Sequence, residues 1–173
     1  MRYPVFSRWA TRLTCAALLS LFLSALTFPS FAADATTAAL TFVKQRQLGN
    51  NLGSIAYSVA SRTVTFAMIA KQIGPAEAQS LVHEKLDALR PKYQEKWDAN
   101  LAASYAEFFS SEELLSLADK GLASPIAPKF NSLQSSVGRS MQTKSTGILQ
   151  DYVSEALGDA VKANTQQPGK SPG

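Results

Sequence analysis

The 173-residue chain holds one cysteine and one histidine, and those two scarcities remove most side-chain chemistry before any motif is sought. Cys15 has no partner for an intrachain disulfide and no companions for a cysteine metal site. It is also a poor lipid attachment point, because it follows Leu13-Thr14 and precedes most of the apolar run at 16–28, whereas a lipoprotein cysteine closes such a run after a small residue. With His83 as the sole imidazole, every Ser-His-Asp arrangement would have to pass through it, and no Gly-x-Ser-x-Gly elbow is present. Gly-rich phosphate loops are missing as well. So are the alternating apolar and polar runs that half-buried strands require. No cofactor is implied.

What is present begins with Arg2, Arg8 and Arg12, followed by the apolar run at 16–28 and then Ser30 and Ala32. Charged, apolar and small-residue regions in that order read as a secretory signal peptide, with cleavage expected after Ala32. The run is short for a bilayer span. Three of the 17 Lys and Arg residues precede residue 33 while all 13 Asp and Glu residues follow it, which leaves 14 cations against 13 acids, a net charge of +1. The basic balance of the whole chain is therefore mostly its targeting segment and gives no argument for a nucleic-acid partner. The expected organisation is a signal peptide at 1–32, one helical domain at 33–162 and a disordered tail at 163–173. That domain is expected to be exported, periplasmic and without a transmembrane span. The tail is rich in Gln, Pro, Gly and Ser, with too little apolar surface to offset the entropy of ordering.

Between these ends the periodicity is helical, punctuated by Pro and Gly, and it predicts an all-α chain folded as a single helical bundle of five or six helices. Asp34 is expected to cap the first, which carries Leu40 and Val43 and stops at Gly49-Asn50-Asn51, residues tolerant of left-handed geometry. Asn51 is the expected cap of a second helix, in which Leu52, Ile55, Ala56, Val59, Thr63, Phe66 and Ala70 form one stripe as far as Gly74-Pro75. A third runs from Pro75 to Pro91 with Ala78, Leu81, Val82, Leu86 and Leu89 inward. A fourth starts at Pro91 and carries the stripe Tyr93, Trp97, Leu101, Tyr105 and Phe108, which is expected in the core. Ser110-Ser111-Glu112-Glu113 reads as a capping box, Gly121 as a stop and Ser124-Pro125 as another start. The last stretch is compatible with one long helix or two, with Gly147 as the weak point.

Residues 105–130 contain Tyr105, Phe109, Ser110, Glu112, Glu113, Leu114, Leu117, Ser124, Pro125 and Lys129 in an order that resembles the bacterial domain of unknown function 2059 family, a family of secreted helical proteins. The chain has Lys120-Gly121-Leu122 where that family has an aromatic pair, and Ala127 where glycine is common. The resemblance implies export and an all-helical fold, and it carries no activity. Its ten matching positions read as structural.

Candidate chemistry is sparse. His83 and Asp87 have the spacing of two ligands on one helical face, yet two groups do not complete a site, so no metal is expected. Asp98, Glu107, Glu112 and Glu113 are the carboxylates a glycan hydrolase would need, although Glu112 and Glu113 already suit a helix N-terminus. Arg90, Lys92 and Lys96 interleave with Tyr93 and Trp97 and are candidates for binding an anionic polymer or surface. No catalytic residue is identified. The reading that remains is a non-enzymatic periplasmic helical protein acting through contact with an envelope protein, as an assembly factor, chaperone-like binder or inhibitor. The alternative is a cell-wall glycan hydrolase or binder using carboxylates and aromatics.

Overall fold

In the computed structural model, residues 31–166 are described, the side chains of 31–33 excepted. Residues 1–30 of the expected signal peptide (1–32) and 167–173 of the expected tail (163–173) lie outside them. Within that span the chain forms six α-helices and no strand, in agreement with the all-α expectation. They are α1 (Phe31–Gln45), α2 (Leu52–Ala60), α3 (Val64–Ile73), α4 (Pro75–Ala106), α5 (Ser111–Lys120) and α6 (Ala127–Thr165). Single 3-10 turns at Leu48–Asn51 and Gly121–Ala123 link the first and fifth helices to their successors.

The framework is the pair α4 and α6, of 32 and 39 residues. They run antiparallel: Ser104 meets Ser140, Asn100 meets Ser145, and Tyr93 lies against Tyr152. Other helices cover the two ends of this pair and divide the core. At one end α2 and α3 bury Leu52, Ala56, Ile69, Val82, Leu86, Trp97, Tyr152 and Leu157. At the other, α1 and α5 bury Phe42, Val43, Tyr105, Phe109, Leu114, Leu117 and Val137. Of the expected stripe, Tyr93, Trp97 and Tyr105 are buried on α4, Leu101 is half-buried and packs on both clusters, and Phe108 is half-buried beyond the end of the helix. In the second, Phe42 stands edge-on to Tyr105 and Phe130 at centroid distances of 5.2 and 5.9 Å.

Several boundaries differ from the sequence reading. Asp34 lies in the first turn of α1 instead of preceding it. The left-handed residue after α1 is Gln47 (φ 53°), not Gly49. Gly49 matters for another reason: a Cβ there would sit 1.8 Å from Asp98 Oδ1, so a side chain would have to displace the Asp98 carboxylate where this turn presses against α4 and Gln94 Nε2 donates to the Gly49 carbonyl at 2.9 Å. Asn51 precedes α2 without capping it, its side chain accepting from Trp97 Nε1 at 3.3 Å instead.

The expected second helix is two helices, because Thr63 takes an extended conformation (ψ 153°) and caps α3, accepting the Phe66 amide at 3.1 Å. Pro91, expected to separate two helices, lies inside α4. An internal proline costs a hydrogen bond and about 3 kcal/mol, so continuity here is a tertiary effect. Leu86 and Tyr93 are buried on either side of Pro91, and the Tyr152 hydroxyl donates to the Leu86 carbonyl at 2.6 Å, fastening α6 to that turn. The last stretch is one helix, continuous through Gly147 and reaching three residues beyond Lys162. It begins at Ala127 with Pro128 in its first turn, while Ser124 bonds the Ile126 amide at 3.2 Å.

Candidate functional site

Because α1 and α5 cover one end of the α4–α6 pair and α2 and α3 the other, the middle of one side is left open as a groove of about 690 Å³. That volume lies in the range of small-molecule and peptide-anchor sites. Leu48, Asn51, Ile55 and Val59 form one wall, Trp97, Leu101 and Tyr105 the floor, and α6 from Gln134 to Gln150 the other wall. Trp97 and Tyr105 are held by packing on both core clusters, and the Asn51 side chain fixes the Trp97 indole. The groove is therefore built on helices and has a preset floor.

Its electrostatics are those of an uncharged site. The lining contains no Asp, Glu, His, Lys or Arg. Its one titratable side chain, Tyr105, is pushed above the ordinary phenol range by burial, which outweighs a bond to Gln134, and so stays neutral. Polar groups are confined to amides and hydroxyls such as Gln142, Ser145, Thr146 and Gln150. Gly138 opens onto free space, since a Cβ added there meets nothing within 4 Å.

The residues singled out from the sequence lie elsewhere. His83 stacks on Tyr57 at a centroid distance of 4.0 Å, and Asp87 pairs with Arg90, so the suspected ligand pair is otherwise engaged. No group of three metal-ligating side chains occurs among the described residues. Of the basic run, Arg90 is held by Asp87 and lies against Gly53, while Lys92 bonds Glu155 at 2.6 Å. Lys96 is exposed and forms no ion pair among the described residues, so this run presents one uncompensated cation and no cluster.

The family-motif positions converge on one corner. Ser110 Oγ accepts the Glu113 amide at 3.3 Å and the Ser110 amide donates to Glu113 Oε2 at 3.0 Å, a complete capping box. Glu113 then accepts from Lys129 Nζ at 2.6 Å, and that ammonium sits 5.0 Å from the Phe109 ring centroid. Leu114 and Leu117 are buried below, Tyr105 packs against Phe109, and Ser124 next to Pro125 bonds Ser116 at 2.8 Å. These contacts join the starts of α5 and α6.

The carboxylates are placed for structure as well. The Lys144 ammonium and the Ser140 hydroxyl hold Glu107 below the usual range, and the Ser110 hydroxyl does the same for Glu112. Partial burial pushes Glu113 upward, but Lys129 and the Ser110 amide together outweigh it and leave Glu113 low. A glycosidase acid requires the opposite shift. Asp98 accepts from Gln94 at 2.8 Å.

The groove itself was missed from sequence. Each of its walls is the margin of a stripe that reads as core, and only the absence of charge along Leu48–Val59 and along one face of α6 hinted at an uncovered apolar surface. Comparison of the chain with protein-family models, with curated proteins and with solved structures finds no match in any of the three.

Proposed function

We propose that the protein is a non-enzymatic component of the bacterial cell envelope that works by contact, receiving an apolar segment of an envelope protein in the groove on α4 and α6. Export through the N-terminal segment and membership of the domain of unknown function 2059 family belong to the same proposal and rest on the sequence features alone. The observation that carries the contact reading is the lining: a preformed groove of about 690 Å³ without a single charged side chain. Such a surface gains by burying apolar area, and its one titratable side chain, Tyr105, is held neutral by burial.

The test uses a photo-crosslinking residue at Gln142, which lines the groove and is exposed. In the envelope of living cells it is expected to trap one defined protein. Gly138→Trp should abolish the adduct by filling the groove, with unchanged helical circular dichroism because the position is exposed and a Cβ there meets nothing within 4 Å. His83→Ala should leave the adduct intact. No protein adduct at Gln142, or one indifferent to Gly138→Trp, would overturn the reading. Release of fragments from purified peptidoglycan, lost in Glu112→Gln or Glu113→Gln, would replace it with the hydrolase.

A further inference from the structure

Between Asp34 and Glu77 the chain has no acidic residue, while Lys44, Arg46, Arg62 and Lys71 fall in that interval. Arg46 is used internally, donating to the carbonyls of Leu117 and Asp119 at the end of α5. Arg62 and Lys71 are exposed, make no ion pair among the described residues, and bracket α3 at its two ends. Between them the outward side of α3 is apolar. Val64 is 77% exposed and Met68 60% exposed, one turn apart, with exposed Ala67 beside them. The inward side, with Phe66, Ile69, Ala70 and Ile73, packs on the core. A surface helix that is apolar on both faces leaves one of them without a partner in water.

Charge decides which partner fits. Leu115 and Leu122 are strongly exposed as well, but around them Glu112, Glu113 and Asp119 stand with Lys120, Lys129 and Arg46, a balanced setting with no excess of cations to attract an anionic surface. The α3 face instead joins its exposed apolar side chains to two cations in a stretch with no acidic residue between Asp34 and Glu77. Side chains as exposed as Val64 and Met68 project from the fold instead of lining a recess, which suits a deformable, flat phase better than a protein pocket. No helix among the described residues is long and apolar enough to cross a membrane, so any attachment made by this surface is peripheral.

We propose that the outward face of α3 docks on anionic phospholipid bilayers, with Val64 and Met68 entering the interface and Arg62 and Lys71 meeting headgroup phosphates. The surface is independent of the groove, and its failure would leave the contact reading untouched.

The experiment places an environment-sensitive fluorophore on Met68→Cys in the full chain carrying Cys15→Ser, with Leu122→Cys labelled as the control. Both chains carry the apolar run at 16–28 alike, so a difference between them reports the folded surface. Vesicles of phosphatidylglycerol mixed with phosphatidylcholine should blue-shift and brighten the dye at 68 and leave the dye at 122 unchanged. Arg62→Gln with Lys71→Gln should weaken that response on the order of tenfold, as expected for loss of two juxtamembrane cations. An equal response to pure phosphatidylcholine, an equal response at 122, or none at 68 would overturn the proposal. So would a shift at 68 that grows with protein concentration without vesicles, which would assign the face to a second copy of the chain.

Discussion

At the start of α5 a single serine organises two helices. Its hydroxyl accepts one orphan amide, its own amide is answered by Glu113, and Glu113 in turn holds Lys129 of α6 at 2.6 Å. Ser110→Ala should therefore lower stability by about 0.5 to 2 kcal/mol, with the fold retained, since it removes a cap and nothing from the core. Urea melts would measure it, and Ser110→Thr, which keeps an acceptor, should recover most of the loss. An unchanged midpoint for the alanine variant would mean that solvent satisfies the Glu113 amide equally well. The cap was legible because its partners are three residues apart. The Lys129 contact was not, because nothing local to Glu113 says which of the chain's lysines will lie beside it. Asn51 shows the converse: its position before α2 is that of a cap, yet the indole of Trp97 claims its oxygen.

At the scale of helices, punctuation was read correctly where the chain itself decides and incorrectly where packing does. Gly74, at φ 95°, separates α3 from α4 because the backbone there leaves the ordinary region. Thr63 falls on an apolar stripe by spacing although its hydroxyl caps α3, since a threonine satisfies both descriptions until the backbone is seen. Pro91 marks a boundary by local sequence alone, and α4 overrides it with burial on both sides. The glycines of α6 are a related case. A Cβ at Gly147 or Gly158 meets nothing within 4 Å, so neither is required by packing, and nothing in the structure explains their presence. Gly147→Ala and Gly158→Ala should each raise stability by about 0.5 to 1 kcal/mol by removing backbone freedom from the unfolded chain. Thermal melts should show the two gains adding, because the sites lie three turns apart along α6. A loss at either site would mean that the helix uses the glycine for a bend.

For the whole molecule, the end-to-end division of the core explains both the groove and the distribution of charge. The long helices supply a floor that four short helices cannot cover completely, and the ion pairs lie on the outside, tying α4 to α6 through Lys92–Glu155 and Lys144–Glu107 and α5 to α6 through Lys129–Glu113. Such exposed pairs are individually weak. They nevertheless act in one direction. Bonds from Lys92 and Tyr93 lower Glu155, Lys144 and Ser140 lower Glu107, Ser110 lowers Glu112, and Lys129 with the Ser110 amide prevails over partial burial at Glu113. A carboxyl lowered in the folded state contributes stability above its unfolded value near pH 4.3, and loses it as pH falls through the folded value. On the alkaline side burial raises Tyr93, Tyr105 and Tyr152, so their contribution is present below about pH 10 and is lost as pH climbs through the raised folded values. The unfolding midpoint should thus be nearly level from about pH 6 to 9 and fall on both sides. The acid arm should be reduced in Lys129→Met, which removes the partner of Glu113, and the alkaline arm should be untouched by it. A midpoint that stays level down to pH 3, followed by circular dichroism in urea, would show that the links from α6 to α4 and α5 are carried by packing alone.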